Sequence, residues 1–318
     1  MAARQSRRAD QTGVPMKKPA RAWFRMPRIF RRRSEVPRVE IAAATVPRLA
    51  AGQAAVPDVA AHRRRIGPVN VVVASVIGQR HLLDGELRED GYALAVSHDQ
   101  TACVVAVADG VGSSVNAHEA AAVASSTVVA SAMRWIADRG TGWEDHSARL
   151  VRDASEAVRG VRDHGDRRAE TASGKTAPPA STLTVAVLMT SNEGTEVCWL
   201  AYGDSAALVL SVRTRQWRWL STRDEMRVAL TRALPGEPSF REHGTLRLGR
   251  DDVLVLATDG VAEPIEHMPE PFATAIIAAV TEEMSAAKFA TLLDFDMAGM
   301  VDDRTILAIW HPGLSQAS

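Results

Sequence analysis

Residues 104–114, Val-Val-Ala-Val-Ala-Asp-Gly-Val-Gly-Ser-Ser, set an apolar run of strand type directly against Asp109 and follow it with a glycine-rich turn. A buried strand of this kind delivers a carboxylate to its exposed end, while Gly110 and Gly112 let backbone pass close to a ligand and tolerate positive φ. Alone, the stretch is equally an ordinary strand ending in an Asp-Gly turn. Repetition changes the reading. Val253-Leu-Val-Leu-Ala-Thr ends in Asp259-Gly260, and Val301-Asp302-Asp303-Arg304-Thr305 leads into a third apolar run, Ile306 to Trp310. Three apolar strands therefore each carry a carboxylate at one end. Acidic groups gathered this way repel one another and lose hydration, and divalent metal is the expected compensation.

The bulk composition sets the frame. At 318 residues and 46% hydrophobic content, the chain can bury a substantial core. Its zero net charge hides an asymmetry: residues 1–65 hold 16 of the 38 Lys/Arg and only 4 of the 38 Asp/Glu. The molecule reads as a basic N-terminal tail, residues 1–68, on an acidic folded body, residues 69–312, with a short C-terminal tail, 313–318. Within the first tail, prolines and clustered arginines predict disorder. The segment from Arg21 to Arg33 mixes aromatics with cations and suits an anionic surface or an acidic partner, the plainer alternative being a solvated linker. Cys103 and Cys198 lie inside apolar runs and give neither a disulfide framework nor zinc spacing. No stretch approaches the roughly 18 uninterrupted apolar residues of a membrane span, and the N-terminus lacks a signal peptide's apolar centre. No transmembrane segment and a cytoplasmic location are expected.

Along the body, strands are predicted at Val69–Ile77 and Gly91–Val96, on either side of a polar loop at 78–90. The strand reaching Asp109 follows. Helices are predicted at Asn116–Met133 and Trp143–Val161, then a polar connection at 164–180. Ser181–Thr190 and Glu196–Tyr202 read as a hairpin, Gly203-Asp204-Ser205 as a tight turn, and Ala206–Val212 and Gln216–Leu220 as further strands. A short helix is expected at Asp224–Ala233. Thr245–Leu248 and Val253–Thr258 are expected to pair, before helices near Pro271–Glu283 and Ser285–Met297 and the closing strand Thr305–Trp310. The fold class is α+β: two antiparallel sheets covered by helix pairs.

In this order, Glu89-Asp90, Asp109-Gly110-Val-Gly, Ser181-Thr182-Leu-Thr, Gly203-Asp204-Ser205, Asp259-Gly260 and Asp302-Asp303-Arg-Thr305 resemble the metal-dependent protein phosphatases of type 2C, over roughly residues 70–311. Gly78-x-x-His81 and Asp109-Gly-Val-Gly-Ser-Ser look most like the bacterial branch. The resemblance implies a four-layer α-β-β-α sandwich holding two Mn²⁺ or Mg²⁺ ions at one edge. Asp109 would bridge both metals, the Gly110 carbonyl and Glu89 would bind one, Asp90 would act through bound water, and Asp259 and Asp302 would hold the other. It implies hydrolysis of phospho-Ser/Thr in a phosphoprotein through a metal-bridged water, opposing a bacterial Ser/Thr kinase. A phosphatase-fold regulatory module with weak catalysis is the alternative.

Three departures from the family pattern matter. Where members commonly place a phosphate-holding arginine, this chain has His81, with Arg80 and Arg88 nearby. Where many have a histidine in the Asp-Gly motif, it has Val111, leaving His81 or His118 as proton donors. Residues 171–180 hold no carboxylate for a third metal. His81 and Arg80 are accordingly the catalytic candidates. Asp204 is expected to hold its turn, and Asp303 to act as an outer or structural acid.

Overall fold

The computed structural model of the chain describes residues 56–138, 140–161, 175, 177–222 and 232–314. Most of the expected basic tail, the helix at 224–233 up to residue 231, most of the 164–180 connection and residues 315–318 lie outside the described residues.

Eleven strands among the described residues form two antiparallel sheets. One has the order β1 (Val59–Ile66), β2 (Val69–Val76), β11 (Arg304–Trp310), β10 (Asp252–Ala257), β7 (Ala206–Ser211), β8 (Trp217–Trp219). The other has the order β3 (Gly91–Val96), β4 (Ala102–Ala108), β5 (Leu183–Ser191), β6 (Gly194–Tyr202), β9 (Glu242–Leu248). Helices α2 (Ala117–Ala137) and α3 (Trp143–Arg159) cover the second sheet. Helices α4 (Asp259–His267) and α5 (Pro269–Thr281) and the short α6 (Ala286–Ala290) cover the first. This is the expected α-β-β-α sandwich.

The strands read as continuous apolar runs because both faces are buried. In β4, Val104, Ala106 and Ala108 pack under α2 and α3, while Cys103, Val105 and Val107 face the opposite sheet. Val71 and Val73 of β2, Leu188 of β5, Val209 of β7, Leu254 and Leu256 of β10 and Leu307 and Ile309 of β11 complete that inter-sheet layer. Both cysteines are buried, and burial raises the Cys103 thiol to about 12 and Cys198 to about 11. Helix α2 has the length and composition of a membrane span, but its stripe of Ala120, Ala121, Ala124 and Val128 is packed on the sheet.

Several boundaries differ from expectation. The first sheet begins ten residues early: β1 pairs along its length with β2, so Arg63, Arg64 and Arg65 belong to a strand. It escapes hydrophobic patterning because it is an edge strand with charged, mostly exposed side chains, a composition that discourages further pairing. The strands at 242–248 and 252–257 do not pair; β9 joins β6 and β10 joins β7 and β11. The polar loop at 78–90 contains a short helix, α1 (Gln79–Asp84). Helix α4 follows β10 at once despite Pro264, which sits in its sixth position.

Candidate metal centre

The inter-sheet columns explain where the polar residues collect. Continued past the apolar residues to one pole of the sandwich, the same alternating positions become Ser75 on β2, Thr182 just before β5 and Thr184 on it, Ser205 before β7, Thr258 after β10 and Thr305 on β11, all buried. Beyond this belt of hydroxyls stand the carboxylates. A buried hydroxyl must find a partner, so the belt is wired. Ser75 and Thr305 are joined at 2.5 Å, and Thr182 and Ser205 at 2.6 Å. Thr258 donates to Asp90 Oδ2 at 2.8 Å and accepts from the Thr305 N–H at 3.0 Å.

Asp109 is held from behind by the Ser181-Thr182 and Gly203-Asp204-Ser205 motifs. Its N–H donates to Thr182 Oγ1 at 3.0 Å, its carbonyl accepts from the Thr182 N–H at 2.8 Å, and Ser205 fixes that hydroxyl. Gly203, at φ +99°, is required here: a Cβ would stand 2.7 Å from the Arg232 carbonyl and 2.8 Å from Thr182 Cγ2. Gly110 packs on Ala117 at the start of α2, where a Cβ would meet the Ala117 carbonyl oxygen at 2.5 Å.

Asp109, Asp204 and Asp259 bring carboxylate oxygens within 4.8 Å of one another. Burial raises the pKa of Asp109 well above the usual carboxylate range, and the charges of Asp90, Asp259, Asp204 and Asp302 add to it. Asp259 is pushed up to about 6, by burial first and then by Asp204 and Asp302. Asp90 is raised by burial and by Asp303. Asp204, read from sequence as a turn residue, thus shares the cluster. Asp302 instead brings an oxygen within 4.8 Å of His81 and Asp303, and reaches the other group through its charge.

A second group surrounds His81, which is 1% exposed. Its Nδ1 is 3.0 Å from Asp303 Oδ1, and its Nε2 is 3.1 Å from Arg80 Nη2, 3.6 Å from Glu89 Oε2 and 3.7 Å from Glu86 Oε2. The Asp303 hydrogen bond raises the His81 pKa against the opposing effect of burial. Asp303 also accepts from the Gly78 N–H at 2.6 Å and from the Glu89 N–H. Burial disfavours its charge, but these donors hold its pKa below the ordinary value. One buried carboxylate therefore fixes the start of α1, His81 and the backbone of Glu89. Arg88 is buried as well and donates to the Asp90 and Pro57 carbonyls and to Ser75 Oγ, which occupies it structurally. Arg80 remains exposed, its Nη2 beside Gly112. His118, at the start of α2, is half-buried; burial lowers its pKa, Glu119 opposes and Lys175 adds.

The donor set fits hard divalent metal. Glu89 Oε2, Asp90 Oδ1 and Asp259 Oδ1 are buried without a hydrogen-bond partner. All are carboxylate oxygens at one pole, the ligand chemistry of Mg²⁺ or Mn²⁺. One contact was invisible to sequence patterning: Lys175 Nζ donates to Glu86 Oε2 at 2.9 Å and to Glu89 Oε1. A lone lysine in a polar connection carries no spacing signal.

Comparison with known proteins places these features in a family. The profile described as protein phosphatase 2C matches residues 77–294. No curated protein matches the chain. Among solved structures, Stp1 from Staphylococcus aureus superposes with a TM-score of 0.54 at 15% identity, covering 76% of this chain and 95% of its own. A serine/threonine phosphatase from S. agalactiae gives 0.52 at 16%, covering 76% and 99%. The catalytic domain of PstP, in complex with two manganese ions, gives 0.51 at 18%, covering 77% and 98%. At these identities the structural likeness speaks for the fold.

Proposed function

The chain belongs to the protein phosphatase 2C family, and we propose that it hydrolyses phospho-Ser/Thr in phosphoprotein substrates with divalent metal, opposing a Ser/Thr kinase in the cytoplasm. The observation that carries this reading is the convergence of Glu89, Asp90, Asp109 and Asp259 on one pole, with three of their buried oxygens unpartnered. Buried carboxylates in such proximity are stable as anions only with a cation among them.

Asp109, Asp259, Asp204 and Asp302 would hold metal on one side, and Glu89, Asp90 and the Gly110 carbonyl on the other. Two Mn²⁺ or Mg²⁺ ions would supply Lewis acidity toward the phosphoryl group and toward water. The chain's own residues do the positioning. Thr182 and Ser205 set Asp109, Thr258 sets Asp90, and Asp303 sets Glu89 and His81. Arg80, exposed and steadied by His81, is the cation offered to phosphate oxygens. His81, buried and held by Asp303, acts as a positioning residue for Arg80 instead of touching substrate.

Residues 1–55 would add an anionic-surface contact, tested by deleting them and measuring localisation and turnover separately. The activity is tested by phosphate release from a phosphothreonine peptide with Mn²⁺, with Mg²⁺ and with chelator, in wild type, Asp109→Asn and Asp259→Asn. Metal-dependent release lost in both variants supports the reading. A folded wild type that binds metal without releasing phosphate supports the alternative, a phosphatase-fold regulatory module, which the Lys175–Glu89 ion pair favours by filling part of the cation demand.

A further inference from the structure

The acidic pole is not electrostatically uniform. Among the described residues, Asp109 and Asp259 have no ion pair with a cationic side chain, and their carboxylate oxygens lie within 4.8 Å of each other and of Asp204. The Glu86–Glu89 side is different. There the Lys175 ammonium, 15% exposed at its side chain, sits on both carboxylates, and Glu89, 6% exposed, has only its Oε2 left without a hydrogen bond. An ammonium is a compact point charge, the side-chain group closest in kind to a bound cation.

We propose that Lys175 is a tethered cation occupying the Glu86–Glu89 side of the pole, where it competes with divalent metal. The two sides then differ in affinity. Metal binds more tightly at Asp109 and Asp259, where no tethered cation stands in its way, and more weakly at Glu89, where Lys175 must be displaced. The exchange changes the local charge by one unit: the two glutamates carry a net −1 with the ammonium on them and are neutral with a divalent ion in its place. Within residues 171–180 there is no carboxylate, and Lys175 is the one charged residue. Metal concentration would therefore set whether the chain holds one ion or two. The inference rests on the metal-dependent reading above.

The test titrates the full chain, after chelation and desalting, with Mn²⁺ alone, reading bound metal by calorimetry and free Mn²⁺ by electron paramagnetic resonance. Wild type is expected to show one tight and one weaker site. Lys175→Met is expected to tighten the weaker site by about tenfold or more and leave the tight one unchanged, because an opposing charge is gone. Lys175→Arg should stay near wild type, and Lys175→Gln, which keeps a donor to support folding, should follow Lys175→Met. In the chelated state Lys175→Met should melt below wild type, since Glu89 loses its partner. Unchanged or weakened second-site affinity in both neutral variants, with metal-dependent phosphate release intact, overturns the Lys175 proposal and leaves the phosphatase reading standing. A folded wild type that binds no Mn²⁺ and releases no phosphate overturns both.

Discussion

Replacing Asp303 should do more damage than replacing any other acid at the pole. Its carboxylate, on a residue 3% exposed, accepts from the Gly78 N–H, the Glu89 N–H and His81 Nδ1. Asp303→Ala leaves two backbone donors and one ring donor buried without partners. Each costs about 1–3 kcal/mol, and relaxation of α1 recovers some of it, so the net loss is about 3–6 kcal/mol. For a domain of this size, each kcal/mol lowers the melting midpoint by about 2–4 °C, giving a drop of roughly 10–20 °C. Asp303→Asn keeps one acceptor oxygen and should lose about half as much. The assay is thermal melting by circular dichroism of chelated protein, which removes metal from the comparison. A midpoint for Asp303→Ala within about 3 °C of wild type would refute the reasoning, because three unpaired buried donors cannot cost so little.

Other perturbations test separate links. Gly260→Ala places a Cβ 2.0 Å from the Asp303 carbonyl oxygen, so the variant should melt far below wild type or fail to accumulate, which soluble yield and melting will show. Thr182→Val removes the hydroxyl between Asp109 and Ser205 and should lower phosphate release by about tenfold or more through a misplaced Asp109, with wild-type-like circular dichroism; equal release would detach that hydroxyl from function. The raised pKa values of Asp109, Asp90 and Asp259 predict a pH effect on the metal-free protein. A carboxylate with a raised folded pKa contributes stability below its unfolded pKa and loses it as pH rises through the folded value, about 6 for Asp259. The chelated midpoint should therefore fall between pH 5 and 7.5, and Mn²⁺ should lift it more at 7.5 than at 5; an equal lift at both would count against ionised carboxylates as the ligands.

How much of the fold could be read from sequence depended on which faces each segment buries. The strands buried on both sides, β2, β4, β5, β10 and β11, announce themselves as apolar runs, and α3 by its amphipathic period. β1 was hidden because its side chains are mostly exposed and its partner supplies the order. Sheet membership was hidden too. β9 and β10 are sequence neighbours separated by a tight turn, which normally signals a hairpin, yet they enter different sheets; Asp252 Oδ2 caps that turn from the Gly249 N–H at 3.2 Å. Helix α4 was missed because Pro264 interrupts the pattern, although α4 is short and the Pro264 carbonyl still accepts from the Met268 N–H at 2.9 Å.

The site shows the same division between what lies along a strand and what arrives across the fold. Asp302 and Asp303 are adjacent, and sequence offers no strong reason to separate them. Strand alternation does: Asp303 shares the inter-sheet column of Thr305 and Leu307, and points at the Gly78 and Glu89 amides, while Asp302 falls in the other column with Arg304 and Ile306. One residue of register thus decides between a carboxylate that ties Gly78, Glu89 and His81 together across the fold and one whose Oδ1 accepts only locally, from the Asp303 N–H at 2.9 Å. Asp109 and Thr258 obey the same rule, continuing the columns of Val107 and Leu256. Lys175 and Asp204 do not, since each reaches the pole from a connection whose path depends on tertiary packing. Periodicity can therefore predict the carboxylates a strand delivers, but the balance of charge around them is set by connections that have no period.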